Sequence, residues 1–154
     1  MTPTTPQATE WRAHLIESSA GIRTLLERVT RIAVLGIKTE ASGAPAYYVP
    51  EYAQHAGYEI IPVPVYYPEA TEILGGKVYR TVSAIPGDVD LVNVFRRPKD
   101  IPAHVDDILA KKPRAVWFQS GIRAEAAAER FARAGIDVVQ DRCLMVELRA
   151  IGRG

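Results

Sequence analysis

The sequence predicts an α/β fold built on a doubly wound, open sheet of five parallel strands. After Arg31, short runs of Val, Ile and Leu alternate with helical stretches. Strands that are buried on both faces have this near-continuous apolar character, and helices of this length can cross over between parallel strands. The length of 154 residues with 47% hydrophobic content suits one compact domain. The alternation and the right-handed crossover rule lead us to predict the strand order 3-2-1-4-5, with helices on both faces.

An extra helix is expected before the first strand. Residues 1–9 are polar and rich in Thr and Pro, so we expect a frayed terminus there, with residues 10–154 forming the single domain. From about Glu10 to Arg28, apolar side chains recur at close to helical spacing. They are Trp11, Leu15, Ile16, Ile22, Leu25, Leu26 and Val29.

After Arg31, the strands and helices can be assigned in chain order. The five predicted strands lie in RIAVLG, YEIIPV, DVDLVNVF, RAVWFQ and DVVQD, and helices are predicted in AYYVPEYAQHAG, IPAHVDDILAKK and RAEAAAERFARAG. Gly57 and Gly135 stand just after two of these helices, where a glycine commonly ends a helix in a left-handed turn. The stretch EILGGKVYRTVSAIPGDVD is broken by glycines and prolines, which favours a short hairpin and a turn over a helix.

Composition argues against several classes of function. The 19 basic and 18 acidic residues nearly cancel, so no global field favours nucleic acid or an anionic membrane. No apolar run of membrane-spanning length and no signal-peptide pattern is visible, so we expect a soluble cytoplasmic protein. The single cysteine, Cys143, excludes an internal disulfide. The three histidines lack the spacing of metal ligands, so no metal site is expected.

Three loops at predicted strand ends indicate an anion site. Ligands of open parallel sheets bind outside the carboxyl ends of the strands, where the chain changes direction. The loop GIKTEASGAP offers Gly36, the amine of Lys38, two hydroxyls and a helix start at Pro45. FRRPKD adds three cations, and in QSGIRAE Ser120 is a candidate helix N-cap. Each loop alone is also typical of ordinary caps and charged turns, but their convergence on one edge favours a phosphorylated ligand.

The end of the second strand bears on which phosphorylated ligand is bound. NAD sites place an acid there to bind the ribose hydroxyls. The segment IIPVPVYYPEA has no acid before Glu69. Its apolar edge suits an adenine face, or equally a rigid connection with aromatic packing.

Four segments of the chain resemble a known family. They are GIKTEASGAPAYYVPEYAQHAGYEIIPV, EILGGKVYRTVSAIPGDVDLVNVFRRP, VWFQSGI and AGIDVVQDRCLMVE. Over about Arg31 to Glu147 they resemble the small stand-alone coenzyme A (CoA)-binding proteins of bacteria and archaea, whose fold is similar to the CoA-binding domain of the succinyl-CoA synthetase alpha subunit. The resemblance implies a Rossmann-like domain that holds the CoA pyrophosphate at the glycine loop and the adenosine near the second strand tip. Together with the loops above, it gives these candidate binding residues: Gly36, Ile37, Lys38, Thr39, Ser42, Pro45, Tyr48, Val63, Pro64, Phe95, Arg96, Arg97, Gln119, Ser120 and Gly121.

Two positions depart from the family pattern. The family usually has Pro-Val-Asn-Pro after the second strand, where this chain has Pro-Val-Pro-Val at residues 62–65. It usually has Arg-Pro-Ser before the first helix, where this chain has Ala-Pro-Ala at residues 44–46. Contacts that the family makes through the lost Asn are therefore not expected here.

The resulting expectation is a protein that binds CoA or acyl-CoA and acts as a sensor, a carrier or a partner of an acyl-CoA enzyme. No pair of nucleophile and base is visible, so no catalytic residue is assigned. An NAD(P)-linked oxidoreductase and a thiol redox protein acting through Cys143 remain as alternatives. We expect Cys143 to lie away from the ligand, because it follows the fifth strand at the predicted sheet edge and precedes an apolar run.

Overall fold

A five-stranded parallel sheet forms the centre of the computed structural model, which describes residues 10–153. The predicted frayed terminus, residues 1–9, lies outside this range. The strands are β1 (Arg31–Leu35), β2 (Glu59–Val63), β3 (Glu72–Ile73), β4 (Gly76–Lys77), β5 (Leu91–Val94), β6 (Ala115–Phe118) and β7 (Asp137–Val139). The helices are α1 (Ser19–Glu27), α2 (Pro45–His55), α3 (Val105–Lys111), α4 (Glu125–Arg133) and α5 (Leu144–Ala150), with 3-10 helices at Glu10–His14, Glu40–Ser42 and Pro98–His104.

Both faces of the sheet are covered, which confirms the predicted α/β class. Along β1, Ile32 and Val34 pack into one apolar layer, and Ala33 and Leu35 pack into the other. Helices α1, α2 and α5 cover the first face, and α3 and α4 cover the second. All four of these side chains are nearly inaccessible to solvent, which explains why the strand reads as an unbroken apolar run.

The strand order differs from the prediction. The sheet runs β2-β1-β5-β6-β7, so the third long strand pairs with β1 and not with β2. The predicted order 3-2-1-4-5 is therefore wrong. The hairpin of β3 and β4, which the sequence did predict, lies along the outer edge of β2, where the Tyr79 amide donates to the Pro62 carbonyl at 3.0 Å. Because this edge is covered, the chain crosses back over β1 before it forms β5.

The crossing segment, residues 79–90, covers the sheet without forming a helix. Val82, Ile85 and Val89 are buried against the face that also carries α3 and α4. The Asp107 carboxylate on α3 accepts hydrogen bonds from the Val82 amide at 2.7 Å and the Ser83 amide at 3.0 Å. These bonds satisfy backbone donors that a helix would have paired internally.

The N-terminal part is not one helix from Glu10 to Arg28. A 3-10 helix ends at His14, residues 15–18 lie outside any helix, and α1 begins only at Ser19. Leu15 forms a parallel bridge with Val138, whose carbonyl accepts the Ile16 amide at 2.8 Å. The open edge of β7 explains the interruption, because an unpaired strand edge is stabilised by any extended segment that can pair with it.

The chain reverses its direction across the sheet between β1 and β5, and we call this place the switch point. Gly36 directly follows β1 with a φ of +85°, and a Cβ built on it would lie 2.4 Å from the Phe95 carbonyl oxygen. The Gly36 amide donates to the Val63 carbonyl and the Phe95 amide to the Leu35 carbonyl, both at 2.9 Å. The loops after β1 and β5 therefore leave the sheet in direct backbone contact, which only glycine permits.

None of the helices within residues 10–153 is both long enough and apolar enough to cross a membrane.

Asp90 joins the amino ends of β1 and β5. Its Oδ2 accepts hydrogen bonds from the Thr30 amide at 2.9 Å, the Thr30 hydroxyl at 2.8 Å and the Arg31 amide at 2.9 Å. Burial raises the pKa of this carboxyl, but the three hydrogen bonds and the charge of Arg114 outweigh that effect and hold the pKa below its usual 3.8.

Replacing Asp90 by Ala should lower the free energy of unfolding by about 1 to 2 kcal/mol at neutral pH, since partly exposed hydrogen bonds to one carboxylate are lost. Because the folded-state pKa is depressed, this contribution is complete above about pH 5 and disappears as the pH falls through the folded-state pKa. Urea denaturation at neutral and acid pH measures it. Asp88→Ala, on the exposed neighbouring aspartate, is the control. Equal stability of the two variants at neutral pH would contradict the assignment.

Gly36→Ala should destabilise the fold far more than Gly43→Ala. Both glycines have positive φ, but nothing lies within 4 Å of a Cβ on Gly43. Gly43→Ala should therefore cost only about 1 kcal/mol, the cost of the left-handed conformation. For Gly36→Ala we expect at least about 3 kcal/mol, since the overlap with the Phe95 carbonyl is added. Chemical denaturation of both variants measures the loss of unfolding free energy. Similar losses for the two variants would show that the loops after β1 and β5 can move apart to make room for a Cβ on Gly36.

Candidate functional site

A cleft of about 560 Å³ opens at the carboxyl edge of the sheet, beside the switch point. The loops after β1, β5 and β6 form its walls, together with the first residues of α2 and the residue before α5. This is the position at which open parallel sheets bind ligands. Of the residues proposed from the sequence, those that line the cleft are Lys38, Pro45, Tyr48, Phe95, Arg96, Arg97, Gln119, Ser120 and Gly121.

The remaining candidates do not line the cleft. Gly36, Ile37, Val63 and Pro64 are buried beneath it or beside it in the core. Thr39 and Ser42 belong to the loop before α2. The Ser42 hydroxyl donates to the Thr39 carbonyl at 2.7 Å and accepts the Ala44 amide at 3.2 Å. The hydroxyl thus shapes the loop, a function that the sequence interpretation missed.

The start of α2 forms one wall of the cleft. Pro45 is the first helical residue, and the Lys38 amide donates to the Ala46 carbonyl at 3.2 Å, which ties the loop to the helix. The helix has 11 residues, so its amino end carries a partial positive charge. Ala44 and Ala46 also line the cleft, and their small side chains leave the end of the helix accessible.

Three cations face the cleft, and they differ in how firmly they are held. Arg96 has a side chain that is only 15% exposed, with Nε donating to His104 Nε2 at 3.3 Å and Nη2 lying 3.9 Å from Asp100 Oδ2. Arg97 is 67% exposed and pairs with Asp100 at 2.8 Å. The hydrogen bond from Arg97 is the main cause that lowers the pKa of the Asp100 carboxyl. With Lys38, the cleft therefore has a positive wall with one ordered guanidinium.

The loop after β6 differs from the sequence interpretation. Helix α4 begins at Glu125 with Ala124 as its N-cap residue, so the expected capping by Ser120 is wrong. The Gly121 amide donates to the Asp141 carboxylate at 2.6 Å, and the Ala124 amide donates to the Gln140 side chain at 2.9 Å. Residues after β7 therefore satisfy the backbone donors of this loop, and the Gly121 amide is not free for an anion.

Two polar side chains are buried next to the cleft. Asn93 and Gln119 are 0% and 4% exposed. The Gln119 Oε1 accepts hydrogen bonds from Asn93 Nδ2 and from the Leu144 amide, both at 3.3 Å. The other Asn93 atom, Oδ1, has no hydrogen-bond partner in the part of the chain that the structure describes. A buried acceptor of this kind normally pairs with a water molecule or a ligand.

Cys143 lines the cleft, contrary to the expectation that it lies away from the ligand. After β7 the chain turns back over β6, where the Trp117 Nε1 donates to the Arg142 carbonyl at 2.8 Å. This places Cys143 beside the end of β6, partly exposed. Leu144 is buried, but Val146 is 52% exposed, so the apolar run does not cover the thiol. The other lining residues that the sequence interpretation missed are Ala44, Ala46, Val49, Pro98 and Ile122.

No group of three or more His, Cys, Asp or Glu side chains within residues 10–153 is arranged to hold a metal ion.

A family model described as a CoA binding domain matches residues 30–149. The uncharacterized protein YneT of Bacillus subtilis is 36% identical over 129 residues, which cover 84% of this chain and 93% of that protein.

Solved structures show the same fold. A protein of Thermus thermophilus is 36% identical, with a TM-score of 0.80 and coverage of 88% of this chain and 99% of its own. A hypothetical protein from Pyrococcus horikoshii OT3 is 29% identical, with a TM-score of 0.79 and coverage of 97% and 98%. Acetyl-coenzyme A synthetase 1 of Ca. Korarchaeum cryptofilum has a TM-score of 0.57 at 21% identity and covers 71% of this chain and 25% of its own, a likeness of fold alone. Because the family model spans every loop that lines the cleft, and the resemblance seen in the sequence is thereby confirmed, the chain belongs to the CoA binding domain family.

Proposed function

We propose that the protein binds CoA or acyl-CoA in the cleft at the switch point. The observation that carries this proposal is the positive wall of the cleft, made by Lys38, Arg96 and Arg97 beside the amino end of α2, within the segment that matches the family model. Phosphate groups are bound in this way by helix amino ends and by charge-assisted hydrogen bonds from cations. The CoA pyrophosphate is the part of the ligand that this wall suits.

The polar residues at and behind the Gln119 corner of the cleft suit the other end of CoA. The pantetheine arm carries amide N–H donors, and Asn93 Oδ1 is a buried acceptor without a partner among residues 10–153. Gln119, which contacts Asn93, lines the cleft together with the thiol of Cys143. We assign the arm to this corner, and Tyr48, 42% exposed, to an aromatic contact nearer the rim. Within this proposal the protein serves as a sensor, a carrier or a partner of an acyl-CoA enzyme.

An NAD(P)-linked oxidoreductase is less well supported. β2 ends at Val63, and Pro64 follows it, both buried, whereas the first acid after the strand, Glu69, is exposed. The end of β2 therefore offers no carboxylate to bind the ribose hydroxyls, as NAD sites do. A thiol redox protein is the second alternative, and the position of Cys143 in the cleft is the observation that favours it. A covalent adduct of one CoA on Cys143 in protein purified from cells would support that alternative.

Calorimetric titration should show that CoA binds and that NAD, at the same ionic strength, does not. The affinity for CoA should fall as salt is added, because salt screens the attraction between the CoA phosphates and the cations of the cleft. NAD binding as tight as CoA binding would contradict the proposal. Failure of both to bind would contradict it as well.

Cys143 offers a test of where CoA binds. It is the only cysteine of the chain, so modification by a thiol reagent reports on one position. A CoA thioether, which has no free thiol of its own, should slow alkylation of Cys143 about tenfold at ten times its dissociation constant, as mass action requires for a covered site. NAD at the same concentration serves as the control. An unchanged rate under conditions where calorimetry shows binding would place the ligand outside the cleft.

A further inference from the structure

We propose that His104 is a positioning residue for the ligand: as a neutral imidazole it holds the Arg96 guanidinium against the cleft, so that affinity for an anionic ligand is lost when His104 is protonated. This inference rests on the proposed function. It adds to the proposed site a residue that does not line the cleft, and it makes the affinity for the ligand depend on pH.

The contact between the two side chains has a defined direction. Arg96 Nε–H is the donor and His104 Nε2 is the acceptor, 3.3 Å apart. A ring nitrogen accepts a hydrogen bond only when it carries no proton. The contact therefore requires the neutral ring, and it leaves the two terminal amino groups of Arg96 for other partners. One of them, Nη2, lies 3.9 Å from Asp100 Oδ2.

The backbone keeps His104 in place beneath Arg96. The 3-10 helix at Pro98–His104 folds the chain back, and Ile101 within it and Val105 just after it are each 1% exposed. His104 itself is half-buried at the end of this helix. Buried apolar side chains on both sides therefore anchor the backbone of His104 near Arg96. The Arg96 side chain also passes close to Gly36: a Cβ there would lie 3.3 Å from Arg96 Cδ, so the glycine leaves room for the arginine.

The charges around His104 favour the neutral ring. Burial is the main cause that lowers the pKa of His104 below 6.5, and the positive charge of Arg96 lowers it further. Two carboxylates act in the opposite direction, Asp107 on α3 and Asp100 on the same 3-10 helix. Both are already engaged, Asp107 by the Val82 and Ser83 amides and Asp100 by Arg97. Burial and the charge of Arg96 together outweigh both carboxylates, so the pKa of His104 remains below 6.5.

Protonation of His104 removes the acceptor and creates a pair of adjacent cations. Arg96 Nε then lacks its partner, and the guanidinium is repelled from its position at the cleft. The direction of the pH dependence follows from the lowered pKa of His104. The contact is complete at neutral pH and is lost as the pH falls through a value below 6.5.

Calorimetric titration with CoA tests the inference on three proteins: wild type, His104→Leu and His104→Gln. Gln places an amide oxygen where Nε2 lies but does not titrate. At about pH 7.5, His104→Leu should bind about tenfold more weakly, the scale of one charge-assisted hydrogen bond, and His104→Gln should bind within about twofold of wild type. Below the pH midpoint at which the His104 ring titrates, the wild type should bind more weakly than His104→Gln. Both proteins are measured at each pH, so the effect of CoA phosphate protonation on binding cancels in the ratio of the two affinities.

The Arg96→Gln background shows whether His104 acts through Arg96. There, His104→Leu should cause no further loss of CoA affinity, since residues that act through one contact are not additive. Equal affinities of wild type and His104→Leu would overturn the inference. The inference would also be overturned if the ratio of wild-type affinity to His104→Gln affinity rose at acid pH. His104 would then act as a cation that attracts the ligand.

Nuclear magnetic resonance of the free protein distinguishes a failure of this inference from a failure of the proposed function. The Arg96 Nε–H resonance should shift with the same midpoint as the His104 ring, and this midpoint should lie below 6.5. The His104→Gln variant should show no such shift. An Arg96 signal that is independent of the His104 titration overturns the inference, whether or not CoA binds.

Discussion

Two backbone segments approach each other closely at the switch point, and both the end of the sheet and the shape of the cleft follow from this approach. Gly36 directly follows β1, Phe95 directly follows β5, and a Cβ on the glycine would lie 2.4 Å from the Phe95 carbonyl oxygen. The two strands can pair up to their last residues only because this position has no side chain. Their loops then diverge from one point, and the cleft is the space that this divergence leaves.

The same constraint connects the fold to the proposed ligand site. Arg96 directly follows Phe95, so the position of the Phe95 carbonyl also sets the direction in which the guanidinium leaves the backbone. The 3-10 helix after it brings back His104, and the loop after β1 leads into the amino end of α2. Positive charge is thus concentrated on one wall, although the whole chain is nearly neutral. A local arrangement of this kind attracts phosphates without a net positive charge.

The sequence predicted the α/β class and the hairpin because apolar runs and glycine positions are local signals. It did not predict the strand order, which depends on the hairpin covering the edge of β2, a contact between residues distant in sequence such as Tyr79 and Pro62. The error over Cys143 has the same origin, since its place beside β6 follows from the turn after β7. The cations in FRRPKD were visible in the sequence, whereas the use of the Gly121 amide by Asp141 was not.

A crystal structure of the protein with CoA would show directly whether the ligand occupies the cleft at the switch point. We expect the pyrophosphate between Lys38, Arg96 and the amino end of α2, and the pantetheine arm towards Gln119 and Cys143. CoA in the groove beside β7, which Arg123 and Arg142 line, would contradict this expectation. So would a cleft that stays free of ligand while CoA is bound elsewhere on the protein.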